Sequence, residues 1–156
     1  MIAYLSGAME FAQQEGANWR ESLTQWLRTE LGHSVYNPVL ESGNLAEEYN
    51  AHDYRSWKYS QPGKYAEFIR NCVTRDLEMV QSVDYIICLW NEGVFKGAGT
   101  AGEVTMGYDS GKPIYLVNQL PPEDLSGWIM ACSTEIFGDF DSLKSFLKRC
   151  YRKPGN

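Results

Sequence analysis

The sequence is poor in the side chains that build metal sites and disulfide frameworks. Its 156 residues hold two histidines, His33 and His52, and four cysteines, Cys72, Cys88, Cys132 and Cys150. The cysteines are far apart and form no Cys-x-x-Cys pair, so neither a structural nor a catalytic zinc site is expected. Four reduced, mostly buried thiols fit a cytoplasmic protein. Met1 leads directly into Ile2-Ala-Tyr-Leu5, without the basic and apolar regions of a secretory leader. No apolar run has the length needed to span a bilayer. Basic residues are also few: 14 Lys+Arg against 20 Asp+Glu leave a net charge of −6. This balance disfavours coating a nucleic-acid polymer or a membrane surface, because both need a basic face that displaces counterions. A single phosphate on a small ligand stays within reach, since a few local donors suffice to hold one.

What is present is an ordinary globular composition, 44% hydrophobic and 22% charged, without repeats or a linker. One domain over 1–150 is expected, followed by a frayed tail over 151–156. Ile2 to Leu5 reads as a short buried strand, stopped at Ser6-Gly7. Trp19, Leu23, Trp26, Leu27 and Leu31 fall at helical spacing, with Asn18 and Glu21 as start signals and Gly32 as the stop. A second strand, His33 to Tyr36, closes at Asn37-Pro38. Residues 39–63 show no clear period and read as a long polar, aromatic loop, functional or mobile. A helix follows over Tyr65 to Ser82, then the most apolar strand, Asp84 to Trp90. The Gly-rich stretch Asn91 to Gly99 leads into a helix over Ala101 to Ser110, and Ile114 to Val117 is the next strand. A short helix within 121–131, a last strand over Thr134 to Phe137 and a helix over Asp139 to Cys150 complete the chain.

Strands alternating with crossover helices imply a doubly wound, flavodoxin-like (Rossmann-like) α/β fold, with five mostly parallel strands and helices on both faces. Ligands of such sheets bind at the carboxyl ends of the strands. That rule brings Ser6-Gly7, Asn37, Asn91 to Gly99 and Asn118-Gln119 to one crevice. Glu103, in the first turn after Gly97-Ala-Gly-Thr-Ala-Gly, is then a candidate catalytic carboxylate. A competing local reading exists: Thr100-Ala-Gly-Glu103 is also a capping box, in which Glu103 only bonds the Thr100 N–H. Asp76 is a second candidate, although an aspartate late in a helix is by default a solvated surface residue. Tyr4 is by default a core aromatic, and Arg20 an exposed helix residue.

Tyr4-Leu5-Ser6-Gly7, Arg75-Asp76-Leu77 before Asp84-Tyr-Ile-Ile, and Gly99-Thr-Ala-Gly-Glu103 with Gly107 and Gly111-Lys-Pro113 occur in that chain order. Together they resemble the nucleoside 2-deoxyribosyltransferase family, which includes 2′-deoxynucleoside 5′-monophosphate N-glycosidases. The resemblance implies an enzyme that cleaves the N-glycosidic bond of a (deoxy)nucleoside or its 5′-monophosphate, by hydrolysis or by transfer to another base. It makes Glu103 the nucleophile, Asp76 the carboxyl near the leaving base and sugar, and Tyr4 the group that orients Glu103. No cofactor is implied. A homo-oligomer with a shared active site is implied, and Ser126 matches a serine lent to the partner's phosphate. A lean toward the monophosphate assembles Ser6, Gly7, Arg20, Gly97, Gly99, Thr100 and the partner copy's serine into a phosphate cradle, with Asn91 as a further substrate-binding residue. The segment 41–63 has no counterpart in that pattern. The alternative is a non-catalytic nucleotide-binding or sensing module on the same fold.

Overall fold

In the computed structural model, which describes residues 1–151, a five-stranded, all-parallel sheet has the order β2-β1-β3-β4-β5. The strands are β1 (Ile2–Gly7), β2 (Ser34–Tyr36), β3 (Tyr85–Trp90), β4 (Ile114–Asn118) and β5 (Glu135–Phe137). The helices are α1 (Ala17–Trp26), α2 (Pro38–Glu48), α3 (Trp57–Ser60), α4 (Pro62–Ser82), α5 (Gly99–Asp109), α6 (Gly127–Cys132) and α7 (Phe140–Tyr151). The expected flavodoxin-like fold is therefore the observed one. No helix among the described residues is long and apolar enough to cross a membrane.

The two faces of the sheet follow from the period of two along each strand. Ala3 and Leu5 of β1, with Tyr85, Ile87 and Leu89 of β3, pack against α1 and α7 through Leu23, Leu27, Leu143 and Leu147. Tyr4 of β1, with Ile86, Cys88 and Trp90 of β3, packs against α4, α5 and α6 through Val80, Val104 and Ile129. β3 is buried along its whole length, as a central parallel strand must be. α5 lies unusually close to it. A Cβ built on Gly107 would sit 2.3 Å from Ile86 Cδ1, so any larger residue there must displace the Ile86 side chain or the helix.

Three sequence expectations are corrected. Residues 39–63 are mostly helical: Asn37 caps α2, its Oδ1 accepting from Val39 N–H at 3.1 Å, and Pro38 occupies the first turn. Pro62 likewise starts α4, ahead of the expected Tyr65. α2 and α3 bury Leu45, Ala46 and Ala51 on Phe68 of α4, with Tyr54 and Trp57 packed around them as a small satellite core. Directly after α1, the turn Leu27–Leu31 continues the expected helix with wider, π-helical geometry before Gly32. Finally, Arg149–Tyr151 belong to α7, and the Tyr151 ring stacks on Tyr85 at 5.2 Å. The rest of the expected tail, 152–156, lies outside the described residues.

Candidate active site

Tyr4 and Ser6 are two residues apart on β1, so both point to the face that α5 covers. α5 presents Glu103 to them one turn before Gly107. Tyr4 OH donates to Glu103 Oε1 at 2.9 Å and Ser6 Oγ donates to Oε2 at 2.5 Å. Both hydroxyl residues are 0% exposed. The capping-box reading of Glu103 fails for a geometric reason. α5 starts at Gly99 with Ala98 as its cap residue and no side-chain cap, so Thr100 is already inside the helix. The carboxylate is spent on β1 instead. Burial pushes Glu103 up to about 7, reinforced by the nearby Asp76 charge and opposed by the two hydroxyl bonds.

Asp76 of α4 lines the same cavity as Glu103, a cleft of about 310 Å³. Tyr36, at the end of β2, donates its hydroxyl to Asp76 Oδ1 at 2.9 Å. Burial raises Asp76 to about 6, and the Tyr36 bond acts in the opposite direction. Asp76 is half-buried and is not the solvated residue that its place late in a helix suggests. The rings of Tyr4 and Tyr36 stack at 5.2 Å, so the phenols that hold the two carboxyl groups are themselves packed together.

Arg20 is 0% exposed, against expectation. Its guanidinium donates to five backbone carbonyls: Leu5 at 3.2 Å, Gly7 at 2.8 Å, Ala8 at 3.5 Å, Glu15 at 2.9 Å and Gly16 at 3.2 Å. It thereby ties the loop after β1 into a fixed course, including the left-handed Gln14-Glu15-Gly16 turn. Burial pulls its pKa down to about 10, and it stays charged at neutral pH. Fully buried, with each guanidinium nitrogen bonded to a carbonyl, Arg20 does not line the cleft where a phosphate would lie. Ser6 is likewise withdrawn from ligand contact by Glu103. Gly7 lines the cleft, and a Cβ there would lie 3.0 Å from the Trp19 ring and 3.3 Å from Arg20 Nη2.

The carboxyl edge of the sheet is divided into two depressions. Gly97, Gly99 and Thr100 join Glu103 in the first. Asn91 and Gln119 fall in a neighbouring open one that shares Phe11 and Gly93 with it, and Asn91 Oδ1 accepts from Gly93 N–H at 3.0 Å. Ser126 is exposed at the start of α6 and lines neither.

The opposite wall comes largely from the aromatic segment read from sequence as a functional or mobile loop: Ser42, Tyr54, Arg55, Tyr65 and Cys72 line the cleft. Two ion pairs bind this wall to the loop after β1: Arg55 with Glu15, and Lys58 Nζ with Glu10 Oε1 at 2.6 Å. Arg55 is the single cationic side chain among the described lining residues, and its charge is already paired.

No family model and no curated protein matches the sequence. Solved structures do. A 2-deoxyribosyltransferase from Bacillus psychrosaccharolyticus aligns with TM-score 0.63 and 23% identity, over 92% of this chain and 90% of that one. A CMP N-glycosidase from Clostridium botulinum aligns with TM-score 0.55 and 18% identity, over 95% of this chain and 99% of that one. At these identities the likeness establishes a shared fold.

Proposed function

We propose that the chain cleaves the N-glycosidic bond of a nucleoside, with Glu103 as covalent nucleophile. The observation that carries this reading is a carboxylate on a cleft wall, fixed by a hydroxyl on each oxygen, with a second carboxyl group in the same cleft. The fold shared with a deoxyribosyltransferase and a CMP N-glycosidase supports it.

The leaving base departs from C1′ with the electrons of the C–N bond, and the sugar acquires oxocarbenium character. One oxygen of Glu103 bonds to C1′, giving a glycosyl ester. The protonated Asp76 carboxyl gives its proton to the departing base. Water, or the nitrogen of a second base, then attacks C1′ from the vacated side and loses its proton to Asp76, and the Glu103 carboxylate is released. The sums of atoms and charges close over the cycle, and no cofactor enters.

Of the two substrate forms, the free (deoxy)nucleoside is favoured over the 5′-monophosphate. Ser6 and Arg20 are committed inside the protein and the Arg55 charge is paired with Glu15, which leaves a phosphate the Gly7 and Gly97 to Thr100 backbone and a serine (Ser126) from a second copy. A homo-oligomer that completes the cleft remains part of the proposal.

The test is incubation of the protein with a panel of nucleosides and 5′-monophosphates, with and without a second free base, followed by chromatography. Base release that disappears in Glu103→Ala is expected, best with nucleosides and insensitive to added inorganic phosphate. A new nucleoside formed only with added base marks transfer. Ligand binding without release in either protein would overturn the enzyme reading in favour of a nucleotide-binding module.

A further inference from the structure

We propose that Ser6 is a positioning residue for Glu103, a second hydroxyl that fixes the carboxylate's orientation and favours its anionic form. The proposal rests on the reading of Glu103 as nucleophile. A carboxylate held at one oxygen still turns about its last torsion; held at both, it does not. Tyr4 takes Oε1 and Ser6 takes Oε2, both from the same strand. Ser6 is 0% exposed, so bulk water does not compete for its hydroxyl. Its register partner on β3 is Cys88, buried on the same face. Burial pushes that thiol up to about 12, so at neutral pH it carries no charge that would draw the Ser6 proton away.

Each carboxylate oxygen has more than one lone-pair site, so an oxygen that accepts from a hydroxyl can still approach C1′. The two donors also stabilise the carboxylate as it leaves the glycosyl ester. Ser6 thus serves both halves of the reaction without touching the substrate. This separates it from the ligand-binding role suggested by its place at the carboxyl end of β1.

Ser6→Ala removes one oxygen and keeps the carbon frame. Losing a hydrogen bond to the charged form should raise the Glu103 pKa by about one unit, moving the alkaline limb of the kcat/KM bell up with it and lowering the bell's height. The value of kcat at pH 7 should fall about tenfold, with KM within about twofold. Carbon-13 NMR titration of the side-chain carboxyls, with the Glu103 signal assigned by its loss in Glu103→Gln, reads the same shift without turnover. Ser6→Cys, a weaker donor of similar size, should fall between wild type and alanine, and it carries the test if the alanine variant does not fold. Unchanged Glu103 titration and unchanged rate in a folded Ser6 variant overturn the proposal. A shifted titration with no base release by wild type leaves the clamp standing and overturns the glycosidic reading instead.

Discussion

A carboxyl group taken out of water holds its proton more tightly, and two such groups in one cleft hold the first proton more tightly still. Glu103 and Asp76 are raised to about 7 and about 6. The proposed cycle uses the pair with one proton between them, so kcat/KM should be bell-shaped, with apparent limbs near those two values. A rate flat from pH 5 to pH 8.5, measured on one nucleoside, would contradict this assignment of roles. The same shifts make a stability prediction. A raised carboxyl pKa means that the fold favours the neutral form. That advantage is complete below the ordinary values of 3.8 and 4.5 and is lost as pH rises through 6 and 7. Glu103→Gln, neutral at every pH, should therefore melt higher than wild type at pH 8 by ~3–6 °C, corresponding to about 1–2 kcal/mol. The difference should vanish toward pH 4 in a calorimetric series. Tyr36→Phe should raise the Asp76 pKa and move the bell's limbs without unfolding the chain. At this scale the sequence was a poor guide. The partners of Glu103 lie 99 and 97 residues away, so local spacing favoured a capping box. Arg20, placed by its helix position in solvent, is caged by carbonyls that come together only in the fold.

Among the elements, α5 sets the depth at which Glu103 meets β1. Gly107→Ala would drive a methyl group into Ile86, costing about 1–3 kcal/mol by overpacking. It should also lower activity, because Glu103 is one helical turn away on the same element. Ile86→Val deletes the Cδ1 that is struck, so the double variant should recover most of the loss in chemical denaturation. Recovery no better than additive would show that Gly107 acts through something other than this contact. Strands and long helices were legible because burial imposes a period on them. β3 is apolar throughout and α4 carries a clear stripe. α2 was not legible: it buries only Pro38, Leu45 and Ala46, and Gly43 interrupts its middle. Such a helix is stabilised by its Asn37 cap and by the ring cluster around Phe68 more than by an amphipathic pattern. Asn37-Pro38 reads equally well as the end of a strand, which is how the period of β2 presents it.

For the molecule as a whole, the cleft has one wall built into the sheet and another strapped on by surface charge. Exposed ion pairs contribute roughly 0.2–1 kcal/mol each and weaken as salt rises. Residues 53–60, joined to the β1 loop through Arg55–Glu15 and Lys58–Glu10, should exchange amide hydrogens faster than β3. That exchange should quicken between ~0.05 and ~0.5 M salt, across which the Debye length shrinks severalfold. Arg55→Ala combined with Lys58→Ala should reproduce the effect at low salt and raise KM about threefold, with kcat little changed, since the pairs touch neither carboxyl group. Salt-independent exchange in this segment would place its anchor in the Phe68 cluster instead.

The two walls have different histories available to them. What holds Glu103 is written into β1 and α5: the hydroxyls of Tyr4 and Ser6, both fully buried, meet a carboxylate carried on α5. The facing wall is carried on α2, α3 and the start of α4, with its own small core and its own hydrogen bonds. A lineage can therefore exchange, lengthen or reshape that facing unit, and so alter what the cleft admits, while the clamp on Glu103 is inherited unchanged.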